Sequence, residues 1–456
     1  MSDFQVKPIL LYGIYEKKVQ TSWRPWGWIQ SEADADSEIE RIKKELQALQ
    51  NEAEFSMRIQ PVAKTKAAED MEKLDINADA ILLYAAGVQE IDSIEPLEQL
   101  LSYDIPIIFF LRKDYLWYEI IHPRFLRRSV SDEILQPVIV EDIVVEDYTE
   151  LLQKLRSLAG LKSAVGAKVI SIGKPGGWGI GEEAVQQARK TWKFRIEAIT
   201  YQELTDRIEA LNVDTKAVER ARKDAEDYLS QKEVALKTDR RFVVNAFLLE
   251  RVFKEIMKEE DAHILTVAEC MSIIMPISET TACLPICLLN DSGYLAFCES
   301  DFVAIPAGIL LHFISGKPVF FADPTLPHKG QVTVAHCTAP RRMDGSNLER
   351  VEILTHFESD YGAAPQVKMK QGQVVTIINP SFSGNEWIGF RGRIRDNPTL
   401  QICRTQLDIE IEGDWEKLLH EMKGFHWLVV YGDYLNEIEY ALKKVNVNWT
   451  NLSKSH

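Results

Sequence analysis

Residues 294–337 read YLAFCESDFVAIPAGILLHFISGKPVFFADPTLPHKGQVTVAHC and carry the clearest fold signal in the chain. An apolar strand ends in Glu299, and a helix then runs from Asp301 to Gly316. A second apolar strand follows and ends in Asp323. This order predicts a β-α-β unit whose two parallel strands are joined by a right-handed crossover. Both carboxylates would then lie at the carboxyl edge of one sheet, where open α/β sheets bind ligands.

The expected carboxylate pair indicates a cation site. Two adjacent carboxylates repel each other, so either one is protonated or a cation lies between them. His336 ends the strand-like run QVTVAHC, and His356 and His426 also lie beside strand-like runs. Glu, Asp and His side chains without a thiolate suit Mn²⁺ or another divalent ion better than a structural zinc. Glu269 ends the strand HILTVAE and is a further candidate for the same cleft.

Each of these side chains also has an ordinary structural interpretation. A carboxylate at a strand end is often solvated or caps a helix. A histidine beside a strand is often a hydrogen-bonded core residue. The metal hypothesis therefore depends on several of these residues meeting in space.

Three regions follow from the hydrophobic pattern of the whole chain. Short apolar strands alternate with amphipathic helices over residues 1–164 and again over 165–340, which predicts parallel sheets covered on both faces. Residues 341–456 read mainly as successive strands with turns between them, and this is typical of an antiparallel β domain. A short α/β tail ends the third region.

Composition and charge limit the classes of function. The chain has 456 residues, of which 46% are hydrophobic and 27% are charged, as in globular proteins. The chain contains no run of 18 apolar residues, so no transmembrane helix is predicted. The first residues do not resemble a secretory signal. The 53 Lys and Arg against 69 Asp and Glu give a net charge of −16, which argues against nucleic-acid binding. We expect a cytoplasmic protein that binds neither nucleic acid nor membrane.

The cysteines and a glycine-rich segment have purely structural interpretations. The six cysteines are sparse and form no CxxC pair, which predicts reduced, buried thiols. Residues 173–184 read GKPGGWGIGEEA, but these glycines do not match GxGxxG and no Walker lysine follows. This segment is predicted to be a flexible turn between a strand and a helix. A dinucleotide-dependent oxidoreductase is therefore not favoured.

The acid and histidine positions resemble the L-fucose isomerase and L-arabinose isomerase superfamily of sugar isomerases. Glu299 in FCESD and Asp323 in FFADP resemble the two acids of that superfamily's site. His426 resembles the histidine of its C-terminal tail, and His336 in AHCTAP resembles the extra histidine ligand of the arabinose isomerase branch. The three-part architecture covers nearly the whole chain, whereas the N-terminal third resembles the superfamily in type only.

The resemblance implies a fold, a metal and a reaction. The fold is two parallel-sheet α/β domains of Rossmann or flavodoxin type, followed by a mostly antiparallel, barrel-like C-terminal domain. Glu299, Asp323 and His426 would hold Mn²⁺ or another divalent metal, and the two acids would also move protons. His336, Glu269 and His356 are additional candidates for contact with metal or substrate. The implied reaction is aldose–ketose isomerisation of a sugar through a cis-enediol.

The resemblance also implies a homo-oligomer, a trimer or a hexamer, in which the N-terminal domain completes a neighbour's site. The segment TSWRPWGWIQSEAD (21–34) is rich in tryptophan, and its Arg24 is a candidate for binding a sugar hydroxyl. Two alternatives stay open. One alternative to the isomerase is a divergent sugar epimerase or lyase with the same metal site. The other is a sugar-binding protein without turnover.

Overall fold

A computed structural model describes residues 3–24, 27–66, 68–71, 73–74, 76–86, 90–113 and 138–454. The chain divides into two compact units. The first is made of Met1–Lys162 and Tyr440–Asn446, and the second of Ser163–Glu439 and Val447–His456. The three domain ranges expected from the sequence stay a prediction.

The first unit is built on a parallel sheet. Its strands are β1 (Phe4–Tyr12), β2 (Met57–Ile59), β3 (Ala63–Thr65), β4 (Ala80–Ala86), β5 (Ile107–Leu111) and β6 (Ile143–Val145). Its helices are α1 (Glu32–Glu52), α2 (Ala68–Met71), α3 (Glu90–Leu101) and α4 (Tyr148–Ala164). The strand order is β2-β1-β4-β5-β6, and β3 also pairs with β1. Strands β4 and β5 are apolar and buried at every residue, as expected of a sheet covered on both faces.

The second unit contains three sheets. Its strands are β7 (Lys168–Ile172), β8 (Arg195–Ile199), β9 (Val234–Leu236), β10 (Ile264–Val267), β11 (Leu295–Phe297), β12 (Phe320–Pro324), β13 (Gln331–His336), β14 (Arg350–Leu354), β15 (Ala364–Lys368), β16 (Val374–Pro380), β17 (Glu386–Asp396), β18 (Thr405–Glu412), β19 (Trp427–Tyr431) and β20 (Asn448–Asn451). Its helices are α5 (Glu182–Thr191), α6 (Tyr201–Val213), α7 (Thr215–Leu229), α8 (Arg240–Glu259), α9 (Met275–Ser278), α10 (Cys283–Asp291), α11 (Ile305–Ser315) and α12 (Trp415–Glu421). A last helix, α13 (Leu435–Lys444), begins in the second unit and ends in the first.

The three sheets of the second unit differ in direction and closure. The first has the order β11-β10-β7-β8 and is parallel throughout. The second is an antiparallel barrel of six strands in the order β16-β19-β12-β13-β18-β17, which the pairing of β17 with β16 closes. Strand β20 joins the barrel in parallel beside β17, and β15-β14-β9 form a small third sheet. The predicted fold class, parallel-sheet α/β followed by an antiparallel barrel, is confirmed.

The predicted β-α-β unit is wrong, because its two strands belong to different sheets. Strand β11 belongs to the parallel sheet, whereas β12 pairs antiparallel with β13 and β19 inside the barrel. Helix α11 begins at Ile305 rather than Asp301, and its apolar side chains are buried on nearly every side. It packs against both β11 and β19. Because an all-round apolar helix can be covered on two sides, α11 connects two sheets instead of crossing over one.

Among the described residues, no single helix is long and apolar enough to cross a bilayer. The segments Cys270–Ser278 and Cys283–Asp291 reach that threshold only together, and they are bent by 86° at the break between them.

Candidate metal centre

The two predicted acids both approach His426 although they belong to different sheets. Glu299 follows the end of β11 in the parallel sheet, and Asp323 lies in β12 of the barrel. The register of β12 against β19 pairs Ala322 with Trp427, so the preceding residue, His426, lies opposite Asp323. Strand β13 lies on the other side of β12 and ends in His336. The edge of the parallel sheet and three barrel strands therefore supply the four side chains.

The imidazole of His426 lies between the two carboxylates. Its Nε2 atom is 3.3 Å from Glu299 Oε2 and 3.3 Å from Asp323 Oδ1. The Nε2 atom of His336 lies 3.5 Å from the other oxygen of Glu299, Oε1. One ligand atom from each of Asp323, His336 and His426 falls within a 4.8 Å cluster. These separations are close to those between ligands that share one ion.

The histidines lie at the closed end of this cluster and the acids at its open end. The side chains of His426 and His336 are 0% and 5% exposed, whereas those of Glu299 and Asp323 are 37% and 29% exposed. An ion held here would keep an open side toward solvent, as catalytic metals need for binding a substrate.

The backbone at Glu299 is held in an unusual conformation. Glu299 and Ser300 have φ values of 62° and 49°, in the left-handed region that non-glycine residues seldom adopt. Each such residue costs on the order of 1–3 kcal/mol, so its surroundings must fix it. Ser300 forms a side-chain hydrogen bond of 2.7 Å with Ser171, and its carbonyl accepts one from the N–H of Gly176. The sharp turn that carries Glu299 is therefore fixed by the neighbouring loop and strand.

Asp301 is the residue that sequence reasoning missed. Its side chain is buried, and its Oδ2 atom lies 2.6 Å from Nδ1 of His426. The other oxygen, Oδ1, accepts hydrogen bonds from the backbone N–H groups of Trp178 (2.9 Å) and Val303 (3.0 Å). A carboxylate on Nδ1 fixes the ring orientation and keeps that nitrogen protonated, which directs the Nε2 lone pair toward a metal. The sequence prediction had placed Asp301 at the start of a helix.

The glycine-rich segment supports Asp301. Gly176 forms a β-bridge with Asp301, and the next two residues reach over its carboxylate. A Cβ atom on Gly177 would come within 2.3 Å of Ala184 Cβ and 3.5 Å of Asp301 Oδ1. Only glycine fits at this position, because the segment packs closely on Ala184 of helix α5. Gly177 therefore serves the close packing of this segment on helix α5, a role that the glycine spacing alone does not identify.

The charges in the cluster favour added positive charge. Burial lowers the pKa of His426, but the carboxylates of Asp301 and Glu299 outweigh it and raise that pKa to about 9. At His336, Glu299 and Asp323 likewise outweigh burial and raise the pKa. Partial burial acts to raise the pKa of Glu299, but the two histidines hold it well below its usual range. Burial raises the pKa of Asp323 in spite of the histidines. Protons on the histidines are one source of positive charge for such a site, and a divalent ion is another.

Two buried atoms of the site make no hydrogen bond, and this bears on whether the site fits a metal ion. Asp323 Oδ1 and His426 Nε2 are buried and have no hydrogen-bond partner within the described part of the chain. Buried polar atoms are nearly always paired, so an acceptor and a ring nitrogen that face each other without a hydrogen bond fit a site that binds a cation. Two carboxylates and a histidine held by a carboxylate are a suitable donor set for Mn²⁺ or a similar divalent ion.

The remaining predicted residues lie in different places. Glu269 has φ 49° and follows β10 at the same sheet edge as Glu299, and its carboxylate accepts a hydrogen bond of 2.6 Å from Ser272. Arg24 belongs to the first unit, where its guanidinium lies 5.0 Å from the ring centre of Trp23. His356 lies in a separate group with the thiols of Cys337 and Cys403. The roles predicted for Glu269, Arg24 and His356 stay predictions.

Comparison with known proteins adds no relative. No protein-family model matches the chain, and no curated protein matches it. The resemblance to the L-fucose and L-arabinose isomerases therefore depends on the quoted residues and stays a prediction.

Proposed function

We propose that the protein is a metal-dependent aldose–ketose isomerase whose site is formed by Glu299, Asp323 and His426. The observation that carries this proposal is the position of His426 Nε2, 3.3 Å from an oxygen of each acid and backed by Asp301 on its other nitrogen. The resemblance to the L-fucose and L-arabinose isomerase superfamily, which motivates the choice of reaction, points the same way.

The donor set suits a divalent ion, Mn²⁺ in our proposal. Glu299, Asp323 and His426 would hold it, and His336 lies close enough to Glu299 to join or to contact the substrate. When bound, such an ion polarises sugar oxygens and stabilises negative charge that develops on them. Its exposed side would face the substrate, because the two carboxylates form the open end of the cluster.

The acids would carry the protons. Isomerisation through a cis-enediol requires that a proton leave one carbon of the sugar and return to its neighbour, while protons also move between the two oxygens. One carboxylate, beside the reacting carbons, would move the proton between the carbons. The second carboxylate would move protons between the oxygens. Glu299 and Asp323 both contact His426, so they titrate as a coupled group and either one is a candidate base.

An aromatic wall beside the acids suits a sugar ring or chain. Trp178 is 48% exposed and stacks on Phe425 with ring centres 4.4 Å apart. The same indole meets His426 edge-on at 5.8 Å. An exposed indole next to charged groups offers an apolar face to the C–H groups of a carbohydrate, while polar groups bind its hydroxyls.

The proposed cellular location and oligomeric state also follow from the resemblance to the sugar isomerases. We propose a cytoplasmic homo-oligomer, a trimer or a hexamer, in which the N-terminal unit of one subunit completes the site of another. Arg24 is the candidate residue for that contribution. Light scattering that finds a fully active monomer would contradict this part of the proposal.

The test is a metal-dependent ketose assay. The purified protein is stripped of metal, reloaded with Mn²⁺, and supplied with a panel of pentoses, hexoses and deoxysugars. Ketose formation with Mn²⁺ and its absence without a divalent ion would support the proposal. A requirement for added NAD, or binding of a sugar with no conversion over the whole panel, would contradict it.

Deuterium incorporation from the solvent tests whether the reaction proceeds by proton transfer. Turnover in deuterated water should place deuterium at C1 or C2 of the product, because a proton held by a carboxylate exchanges with solvent. A product without deuterium after many turnovers would instead indicate a hydride shift between the carbons.

A further inference from the structure

A second group of ligand atoms shares no residue with the carboxylate cluster. The thiols of Cys337 and Cys403 and a ring nitrogen of His356 all lie within 4.8 Å of one another. Cys337 and His356 are buried, and Cys403 is half-buried. In a tetrahedral zinc site, neighbouring S and N ligand atoms are roughly 3.5–3.8 Å apart, as follows from the Zn–S and Zn–N bond lengths. Small side-chain movements would therefore bring the three atoms onto one ion.

A third thiol is the candidate for a fourth ligand. Cys283 begins helix α10 and packs with Cys337 and Cys403 in one small cluster. The thiols of Cys283 and Cys403 both act on the pKa of the Cys337 thiol, so both lie beside it. Cys337 is therefore at the centre of the group, with both other thiols and a histidine around it. All the cysteines are free thiols.

The backbone around these residues is held independently of any ion. The N–H of Arg404 donates to the sulfur of Cys337 at 3.4 Å, a contact that stabilises a metal-bound thiolate. The guanidinium of Arg404 donates to the carbonyl of Thr355 at 2.6 Å and to its hydroxyl at 3.1 Å. These bonds tie the segment that carries Cys403 to the one that carries His356.

The ring of His356 is also oriented. Its Nδ1 atom lies 3.5 Å from the hydroxyl of Ser359, and its backbone N–H donates to Tyr361 O at 2.9 Å. A histidine whose other nitrogen is already engaged is the usual form of a metal-bound histidine.

We propose that Cys283, Cys337, His356 and Cys403 form a structural zinc site. Three thiolates and one imidazole are a common ligand set for structural zinc, and soft sulfur ligands exclude Mn²⁺ and Mg²⁺. The residues come from helix α10, from the ends of β13 and β14 and from the start of β18, so the ion would join the barrel to its surroundings. The half-buried Cys403 gives zinc a route from solvent. This site is separate from the carboxylate site and does not depend on the proposed isomerase activity.

Cobalt reports on the ligands directly. Co²⁺ bound by thiolates gives an intense near-ultraviolet charge-transfer absorption, and Co²⁺ bound by oxygen and nitrogen alone does not. The full chain is reduced, stripped of metal and titrated with Co²⁺, and zinc is then added. We expect the thiolate absorption to saturate at one Co²⁺ per chain and to disappear when zinc displaces cobalt. The Glu299→Gln variant should give the same absorption, which separates this result from any failure of the carboxylate site.

Variants assign the ligands. Cys337→Ser and Cys403→Ser should each reduce the absorption at least tenfold. The matched control is Cys287→Ser, because Cys287 is a buried thiol of the same helix α10 that contacts Asp291 instead. Wild-type protein that binds Co²⁺ without the thiolate absorption would overturn the proposal, whether or not the variants fold. An absorption that is unchanged in Cys337→Ser would also overturn it.

Discussion

The carboxylate site and the thiol site are neighbours along the chain and opposite in chemistry. His336 ends strand β13 beside the acids, and Cys337, the next residue, belongs to the thiol group. Successive residues of an extended chain point to opposite sides, so one strand end can serve two sites. The carboxylate site has partly exposed oxygen ligands, whereas the thiol site is buried except at Cys403.

The two sites suit different proposed roles. Oxygen ligands at an open edge would hold a hard divalent ion and leave coordination positions for a substrate. Buried thiolates and a histidine would enclose a zinc ion and leave no open position, which is the arrangement of a structural site. In these two proposals, the same unit offers one site for chemistry and one for stability.

The largest effect is expected from the acids. Glu299→Gln and Asp323→Asn should each reduce ketose formation by at least about 1,000-fold, equivalent to about 4 kcal/mol of barrier. Each change removes a negative ligand and an acid/base group while keeping the side-chain shape. Circular dichroism should show an intact fold. Asp408→Asn is the matched control, since Asp408 is a partly buried acid of the same barrel that binds Thr333 at 2.6 Å. Equal losses in Asp408→Asn would indicate a general effect on the barrel.

A smaller effect is expected at Asp301, which positions His426. In Asp301→Asn the backbone N–H groups of Trp178 and Val303 keep an acceptor, but the amide donates to Nδ1 of His426 and places the ring proton on Nε2. Metal affinity should fall about 10- to 100-fold, as for other residues that support a metal-bound histidine. Activity should recover largely at saturating Mn²⁺. A merely structural role would instead lower the melting temperature and leave the Mn²⁺ dependence unchanged.

The aromatic wall should affect substrate binding more than turnover. Trp178→Ala is expected to raise KM about tenfold, the loss of roughly 1.4 kcal/mol of contact, with a small change in kcat. Trp178→Phe keeps an aromatic face and should retain most of the affinity. If both variants lower kcat and leave KM unchanged, the indole acts through His426 rather than on the sugar.

The smallest effect is expected at the thiol site and concerns stability. Cys403→Ser should lower the melting temperature of the zinc-loaded protein by a few degrees, since each kcal/mol lost shifts a unit of this size by about 2–4 °C. The difference between variant and wild type should disappear after zinc is removed from both, because the effect arises from binding. A difference that persists without zinc would indicate a packing role for the thiol.

The sequence predicted the main members of the carboxylate site but not the way they meet. The acids were expected on neighbouring parallel strands, and the structure brings them together from two sheets because helix α11 is apolar on every side. Local pattern identifies a strand or a helix, but the sheet that a strand joins depends on partners distant in the chain. Strand β12 finds its partners in β13 and in β19, about a hundred residues later.

Asp301 and the glycine-rich segment show a second limit. The carboxylate of Asp301 meets His426, 125 residues away, and the N–H of Trp178, 123 residues away. Neither contact leaves a spacing pattern in the sequence. Asp301 follows Glu299 by two residues at the end of an apolar strand, and that proximity to a predicted ligand was the one signal available.

The proposed carboxylate site is tested by Mn²⁺ binding to the metal-free protein, followed by electron paramagnetic resonance. Glu299, Asp323 and His426 should together bind one Mn²⁺ per chain in the wild type. The Glu299→Gln/Asp323→Asn double variant should bind none at the same concentrations, whereas Cys403→Ser should bind as the wild type does, since thiolates do not select Mn²⁺. Equal Mn²⁺ binding by the double variant and the wild type would contradict the account.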